Sequence, residues 1–554
     1  MNVKRKINKM IKIDINTKVN NILDEMKMVY KNDKRPWVIG YSGGKDSTTV
    51  VQLVFTMLQS LPKEERHKDV YIVSSDTLIE NPIVLGFLKH NSKLIDEGAR
   101  KSDIPLYTHM VHPDYDNTYW TNIIGKGLPT PTSIRFRWCT ERLKIKPSNK
   151  FIEDKVKENG EVVVLLGVRK AESIARGIRI KNREIEGYLL TPHVTLANTY
   201  VYNPIVELTT DDVWEILLSN NGVTPWGSNN NDLFSLYMGA DGGECPFTTT
   251  NDKDTPSCGN SRFGCWVCTV VNKDKSLTGF IENGEEWLKP LLEFREWIVT
   301  IRNRHEYRMQ YRRDGNHYYK KLYLNKLPLL EDNIINQDYI FSNSETGEAY
   351  IDLKNSRSEK EKGNYTESDD KEKIYLELLP ILNVENSDDV ILDKSKIQKD
   401  ENGEYVNVLG YGPFNFAGRQ LILRRLLEVQ KLINTEFEDI DLINTEELEV
   451  IDKIWDEEED LTRRTLVDLY HEVMGKRLPW DEYKKPMFDE DTRNAIEVLC
   501  TTHNIDQDLI NKLLIETNKY KHFTNKSVLD KSINKILNAR HLHKEIVEEI
   551  ENDN

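Results

Sequence analysis

The seven residues Tyr41-Ser42-Gly43-Gly44-Lys45-Asp46-Ser47 stand directly after the apolar run at 36–40 and directly before Thr48-Thr49-Val50-Val51-Gln52-Leu53-Val54-Phe55. A buried strand that breaks into a glycine turn and then a helix points several backbone N–H groups at one spot, and such a turn holds phosphate largely with main-chain donors. Lys45 can neutralise phosphate charge, Ser42 and Ser47 can donate to phosphate oxygens, and Asp46 can hold Mg²⁺ directly or through water. The spacing is not the Gly-x-x-x-x-Gly-Lys-Ser/Thr of hydrolysing NTPases, which cradles the β and γ phosphates. A lone Gly-Gly pair is usually a capped surface turn; the flanking strand and helix favour a nucleotide site here.

Two more strand ends carry polar residues. Asp76 follows Val70-Tyr71-Ile72-Val73-Ser74-Ser75 and is accompanied by Thr77 and Glu80. It either faces the nucleotide or caps the next helix. After the run at 162–166, Gly167-Val168-Arg169-Lys170-Ala171-Glu172-Ser173 brings two cations and a hydroxyl to a strand-to-helix junction, with Arg176 and Arg179 beyond. That cluster binds pyrophosphate or an acceptor's phosphate, unless it is a solvated basic helix.

Four of the six cysteines, Cys245, Cys258, Cys265 and Cys268, fall within 24 residues, amid Gly242, Gly243, Gly259 and Gly264. Thiolates so clustered read as metal ligands, with the short C-x2-C pair delivering two donors to one centre. Structural zinc is one reading. A [4Fe–4S] cluster is the sharper one, with Phe263 and Trp266 keeping it dry and Ser261 and Arg262 tuning its charge. Cys139 has Arg135, Arg137, Arg142 and Lys144 within five positions, which predicts a lowered thiol pKa; an ordinary buried cysteine is the alternative. Cys500, in an apolar helical context, reads as core. Residues 302–321 hold seven Lys/Arg against Glu306 and Asp314, with Tyr307, Tyr311, Tyr318 and Tyr319 interleaved. Basic and aromatic residues together suit a nucleic-acid backbone with splayed bases, although such a stretch also pairs with acidic neighbours. Arg419, Arg424 and Arg425 are weaker candidates for the same role.

The elements that position these groups alternate. Strands are predicted at 38–41, 70–76, 106–111 and 162–167, with helices at 46–60, 82–95 and 141–156 between them. Unbroken apolar strands separated by helices form a parallel sheet covered on both faces, which binds ligands at the carboxyl ends of its strands. Tyr202-Asn203-Pro204-Ile205 reads as a turn, followed by a helix with Thr209 and Asp212 at cap positions. The predicted fold is therefore α/β, a parallel twisted sheet with helices on both faces, an inserted cysteine-rich metal region and a mostly helical C-terminal part. The expected divisions are an N-terminal helical extension at 1–35, an ATP-handling domain at 36–235 and the four-cysteine region at 236–275. A basic and aromatic helical region at 276–340, a flexible insertion or linker at 341–405 and a helical domain at 406–554 follow.

With 554 residues, about three or four domains are the prior expectation. The formal charge of −15 argues against a chain that grips naked nucleic acid over its whole surface, so any such contact is local or supplied by a partner. No stretch reaches the roughly 18 apolar residues of a membrane helix, and the N-terminus lacks the apolar core of a signal peptide, so a cytoplasmic location is expected. Six cysteines at this length do not suggest a disulfide framework.

The loop Ser42–Ser47 resembles the PP-loop of the ATP pyrophosphatases and their relatives the phosphoadenosine phosphosulfate (PAPS) reductases, which are of HUP-like fold. That resemblance implies cleavage of ATP between the α and β phosphates, and it favours a nucleotide role for Asp76. The segment around Cys139, Leu143 and Lys144 and the Pro204-Ile205, Thr209-Thr210-Asp211-Asp212-Val213-Trp214 stretch are also similar to the reductases. Joined to Cys258-Gly259-Asn260-Ser261-Arg262-Phe263-Gly264-Cys265-Trp266-Val267-Cys268, the loop looks like the DndC family of sulfurtransferases in bacterial DNA phosphorothioation. The likeness covers roughly residues 36–275.

It implies ATP and Mg²⁺ at Ser42, Gly43, Gly44, Lys45, Asp46, Ser47, Asp76, Gly167, Arg169, Glu172 and Ser173, and a [4Fe–4S] cluster on Cys245, Cys258, Cys265 and Cys268. It also implies catalytic roles for Lys45, Asp46, Cys139 and Arg169. A cysteine desulfurase would donate the sulfur, other phosphorothioation subunits would be partners, and DNA would be the substrate. If all four clustered cysteines bind iron, none of them is free to carry a persulfide, and Cys139 is the candidate carrier. A PAPS reductase-type oxidoreductase, a tRNA thiolase of the same fold and a zinc-stabilised nucleotide sensor are the alternatives.

Overall fold

The computed structural model describes residues 14–132, 136–172, 174–183, 185, 188–240, 263–271, 273–302, 304–309, 312, 319–342, 349–362, 373–376, 379–382, 390–437, 440–503, 505, 507–521 and 526–537. The chain divides into two compact units, residues 1–119 with 131–292, and residues 120–130 with 293–554.

In the first unit the elements run α1 (Ile15–Lys31), β1 (Trp37–Gly40), α2 (Lys45–Ser60), β2 (Val70–Ser75), α3 (Pro82–Lys101), β3 (Leu106–Val111), α4 (Lys146–Asn159), β4 (Val162–Leu165), α5 (Ile174–Lys181), β5 (Thr191–Pro192), β6 (Thr199–Tyr202), α6 (Thr210–Leu218), α7 (Asn230–Ala240) and α8 (Lys275–Glu282). The sheet order is β3-β2-β1-β4-β6-β5, parallel except for β5, which pairs antiparallel with β6. Trp37 pairs with Val70 on one side and Val163 on the other, so β1 is central. The chain winds outward from β1 to β3, then returns to the other flank with β4. The turn after β1 therefore sits at the topological switch point, where open α/β sheets bind ligands. The expected α/β sheet is present; the short pair β5 and β6 extends it, with Tyr202 ending a strand at the anticipated turn.

Burial explains the layers. Trp37, Val38 and Ile39 of β1 and all four residues of β4 are buried. On α2, Val50, Val51, Leu53, Val54, Phe55, Met57 and Leu58 are buried, an apolar distribution wide enough to mark an interior helix. The α6 start is a capping box in which Thr209 and Asp212 satisfy each other's backbone N–H groups, as the sequence anticipates. The 141–156 segment departs from expectation in detail, with a π-helical turn at Thr140–Ile145 preceding α4.

The second unit begins within α9 (Lys289–Ile301) and continues through β7 (Tyr319–Tyr323), β8 (Ile340–Ser342), β9 (Ala349–Asp352), α10 (Arg357–Glu361), β10 (Lys373–Tyr375), β11 (Ile381–Leu382), β12 (Ile391–Leu392), β13 (Gln398–Asp400) and β14 (Gly403–Leu409). Its helical part is α11 (Phe416–Ile433), α12 (Thr445–Glu458), α13 (Thr465–Met474), α14 (Glu490–Thr502) and α15 (Gln507–Lys519). The region at 341–405, read from its polarity as a flexible insertion or linker, has a different character in its described residues. Leu322, Ile335, Ile340, Ile351, Leu379, Leu392 and Val406 bury one another in a core of their own. Spaced singly along polar sequence, they escape a window-based reading and converge only through antiparallel pairing. Residues 120–130 belong to this unit: Trp120 Nε1 donates to Leu442 O at 2.7 Å, and Trp455 Nε1 to Ile124 O at 2.9 Å. No described helix is long and apolar enough to cross a membrane.

Candidate functional site

The loop is built as its residue types require. Gly43 has φ +71°, a conformation that glycine adopts without steric cost. Gly44 caps α2 without a side-chain bond, leaving the first-turn N–H groups to other partners. Ser47 Oγ donates to Gly44 O at 3.0 Å and accepts from Ser42 N at 3.3 Å, so the two serines lock the turn. A Cβ on Gly167 would stand 2.8 Å from the carbonyl carbon and oxygen of Asp46. Only glycine lets the end of β4 come so near the loop.

Arg169 is 1% exposed, and its Nε donates to Asp46 Oδ1 at 2.6 Å while Nη1 reaches Leu208 O and Thr210 Oγ1 at 3.4 and 3.3 Å. Its guanidinium is thus taken up by protein partners. It positions Asp46, whose Oδ2 lies 3.5 Å from Lys45 Nζ. Lys170 turns away to Glu207, because it lies on the outer side of the same turn. Glu172 is half-buried. Ser173 and the side chains of Arg176 and Arg179 lie outside the described residues.

Asp76 is buried at the end of β2, accepts from Leu78 N at 2.8 Å and lies 3.7 Å from Lys89 Nζ. Its side chain thus closes its own turn, and Leu78 takes the left-handed φ of +63° that this turn requires. The residues just beyond meet the cysteine pair. Glu80 bridges antiparallel to Cys265, Trp266 N donates to Ile79 O at 3.1 Å, and Thr77 Oγ1 is 3.6 Å from Cys265 Sγ. Lys144 Nζ pairs with Glu80 at 2.9 Å.

Cys265 and Cys268 share a turn closed by Cys268 N donating to Cys265 O at 3.1 Å. Both line a cavity of about 600 Å³ together with Tyr119, Arg137, Cys139 and Lys144. The cavity places the distant Cys139 with the C-x2-C pair, an association that sequence distance conceals. Burial pushes the Cys265 thiol up to about 12, with Glu80 adding to the rise and Lys144 opposing it. Burial also raises Cys139, outweighing the nearby Arg137. The expectation of a lowered Cys139 pKa therefore fails: loss of hydration costs the thiolate more than the neighbouring cation returns.

Cys245 and Cys258 lie outside the described residues. Among the described residues no three Cys, His, Asp or Glu side chains converge as ligands of one ion. Cys139, Cys265 and Cys268 border one cavity, and thiols are the donor type that an iron–sulfur cluster takes.

Sequence spacing gave no sign of Tyr237. Its hydroxyl accepts from Lys45 N at 3.2 Å, and Lys45 Nζ lies 5.2 Å from its ring centroid. The same ring packs edge-on against Phe263 at 4.6 Å.

The basic stretch at 302–321 resolves differently. Arg302 and Arg308 are 2% and 7% exposed, and Arg308 donates to the carbonyls of Gly412 and Arg302. These two cannot reach a polynucleotide backbone. Arg304 pairs with Glu306 and Lys321 with Asp400, while Tyr319 and Lys320 are exposed on β7. Arg419 is equally removed from a DNA role, being 2% exposed and bonded to Gly125 O and Glu459.

No family model matches the chain. An uncharacterized protein of Methanocaldococcus jannaschii is 24% identical over 279 residues, which are 50% of this chain and 45% of that protein; the chain thus spans under half the length of this relative. Solved structures similar to it include the PAPS reductase of Candida auris, at 12% identity and a TM-score of 0.25 over 42% of this chain and 92% of that one. The U34-tRNA thiolase of Methanococcus maripaludis with its [4Fe–4S] cluster is another, at 13% and 0.24 over 40% and 74%. A third is the NH3-dependent NAD synthetase of Campylobacter jejuni, at 16% and 0.24 over 41% and 83%. With scores this low, the weight rests on the strand order and loop geometry described above.

Proposed function

We propose that this protein is a PP-loop ATP pyrophosphatase acting as the sulfurtransferase of DNA phosphorothioation. The observation that carries this reading is the adjacency of two chemistries in one unit. The turn beyond Asp76 is bridged to Cys265, and Cys139, Cys265 and Cys268 border one cavity. The loop that would bind ATP thus lies one short strand end away from thiols.

A phosphodiester oxygen is a poor leaving group. In the proposed reaction it attacks the α phosphorus of ATP and pyrophosphate departs. The outer sulfur of a Cys139 persulfide then attacks the DNA phosphorus and AMP leaves with the original oxygen; a thiol reductant cleaves the Cys–S–S–P bond, leaving sulfur on phosphorus and becoming a disulfide as Cys139 regains its thiol. Lys45 and the first-turn N–H groups of α2 neutralise the departing pyrophosphate. Arg169 holds Asp46, which would bind Mg²⁺ directly or through water, and Ser42 with Ser47 braces the loop. Cys265 and Cys268, with Cys258 and Cys245 as their spacing implies, would hold the [4Fe–4S] cluster, which would bind or orient sulfur. Cys139, on the same cavity, is the candidate to carry the sulfur beside it. A cysteine desulfurase supplies the sulfur, and further subunits help this acidic chain to reach DNA; among the described residues of the basic stretch, Arg312, Tyr319 and Lys320 are exposed candidates for local contact.

The test is mass spectrometry of nuclease-digested DNA and tRNA from the source organism, with the gene intact and with Lys45→Ala. Sulfur-linked dinucleotides that vanish in the variant support the proposal. Sulfur-free DNA together with loss of a thiolated tRNA base, or of sulfate reduction, overturns it in favour of the tRNA thiolase or the PAPS-type reductase.

A further inference from the structure

Tyr237 stands between the nucleotide loop and the cysteine segment and makes a different kind of contact with each. Its hydroxyl oxygen accepts from Lys45 N, the first N–H of α2, which no side chain of the cap residue satisfies. A Cβ on Gly44 would lie 3.2 Å from the same hydroxyl, so the phenol tip is packed onto the loop itself. With its oxygen accepting there, the phenol proton points elsewhere, and it has no acceptor among the described residues. A buried hydroxyl proton without a partner is costly, and an anion held in the loop would relieve that cost. At the other end, the ring meets Phe263, two residues before Cys265, and rests on Trp214 at 5.2 Å. Trp214 is anchored in α6, so the ring has a fixed wall on one side and the cysteine segment on the other.

We infer that Tyr237 is a positioning residue that donates its hydroxyl proton to a phosphate oxygen in the loop and transmits nucleotide occupancy through Phe263 to the Cys265–Cys268 turn. This deepens the reading of the loop as an ATP site and rests on it. Packed aromatic rings shift as units, so a small movement of the phenol tip reaches the turn that carries both thiols. The arrangement would make sulfur chemistry at the cysteines contingent on a loaded loop.

The experiment uses the full chain and adenosine 5′-[α,β-methylene]triphosphate, which cannot be split between its α and β phosphates. Calorimetry gives the affinity, and hydrogen exchange read by mass spectrometry gives protection of residues 263–271 with and without the analogue. Wild type should bind and gain protection there. Tyr237→Phe, which keeps the ring, should bind at least about tenfold more weakly, the loss expected for one hydrogen bond to a charged group. Phe263→Ala should bind within about threefold of wild type and show no nucleotide-dependent protection. Equal or tighter binding by Tyr237→Phe overturns the hydroxyl's role, and protection that persists in Phe263→Ala overturns the coupling. Failure of wild type to bind the analogue overturns the nucleotide reading, and this inference falls with it. Thermal melts of both variants separate these outcomes from misfolding.

Discussion

The loop around Lys45 and the buried arginines of the second unit are made of similar ingredients and do different things. In the first unit Arg169 and Asp46 form a tight pair, yet the groups around them keep unused capacity. Gly44 leaves the α2 start uncapped, and the Tyr237 proton lacks an acceptor among the described residues. In the second unit Arg308 is absorbed by the carbonyls of Gly412 and Arg302, and Arg419 by Gly125 O and Glu459. Burial lowers the Arg308 pKa to about 10, yet the carbonyls around it still accept its protons. What the buried groups face, not charge density, separates the two regions: fixed carbonyls and a carboxylate at Arg308 and Arg419, a helix start with no side-chain cap at the loop.

The comparison can be broken most forcefully at Arg419. Arg419→Ala should lower stability by about 3–5 kcal/mol, because Glu459 is left as a buried charge facing Lys512 alone. Chemical denaturation measures this, and pyrophosphate release per folded molecule should be unchanged. A stable variant with lost activity would mean that Arg419 belongs to a site after all. Lys45→Ala should show the reverse, a drop of about a hundredfold in pyrophosphate release, near 2.7 kcal/mol of barrier, with little change in melting temperature.

A smaller effect sharpens the picture of the second unit. Asp456 shares Lys484 with Asp452, at 2.5 and 2.7 Å, and burial pushes its carboxyl up to about 6 despite the lysine. A carboxyl whose folded pKa lies above the ordinary 3.8 contributes stability below that value and loses it as pH rises through about 6. Asp456→Asn, which does not ionise, should therefore gain about 1–2 kcal/mol relative to wild type between acid and neutral pH. Parallel denaturation curves at the two pH values would remove this group from the account. Least of all, Arg424→Ala should change stability by less than about 1 kcal/mol, since its pair with Glu472 is exposed to solvent.

Much of the first unit was legible beforehand. Val162–Leu165 is apolar at every position because both sheet faces are covered, and such a run announces a central strand without tertiary information. The turn at Gly43 and Gly44 and the cap at Thr209 are equally local. The basic stretch was ambiguous because Lys and Arg in sequence do not reveal whether their charge faces water or a carbonyl: Arg302 and Arg308 face inward, while Arg312 and Lys320 are exposed. Cys139 misled in the opposite way. Its basic neighbours in sequence were visible, and the burial that outweighs them was not.

By itself, then, the sequence determined the alternation of strands and helices, the placement of the Ser-Gly-Gly-Lys-Asp-Ser turn at a strand end, and the C-x2-C pair, because periodicity and turn chemistry act over a few residues. The tertiary structure decided that Arg169 braces Asp46, that Cys139 joins Cys265 and Cys268 on one cavity, and that Tyr237 touches both the loop and Phe263. Those outcomes depend on hydrogen-bond partners and burial supplied by segments far apart in the chain, which only the packed sheet and helices bring together.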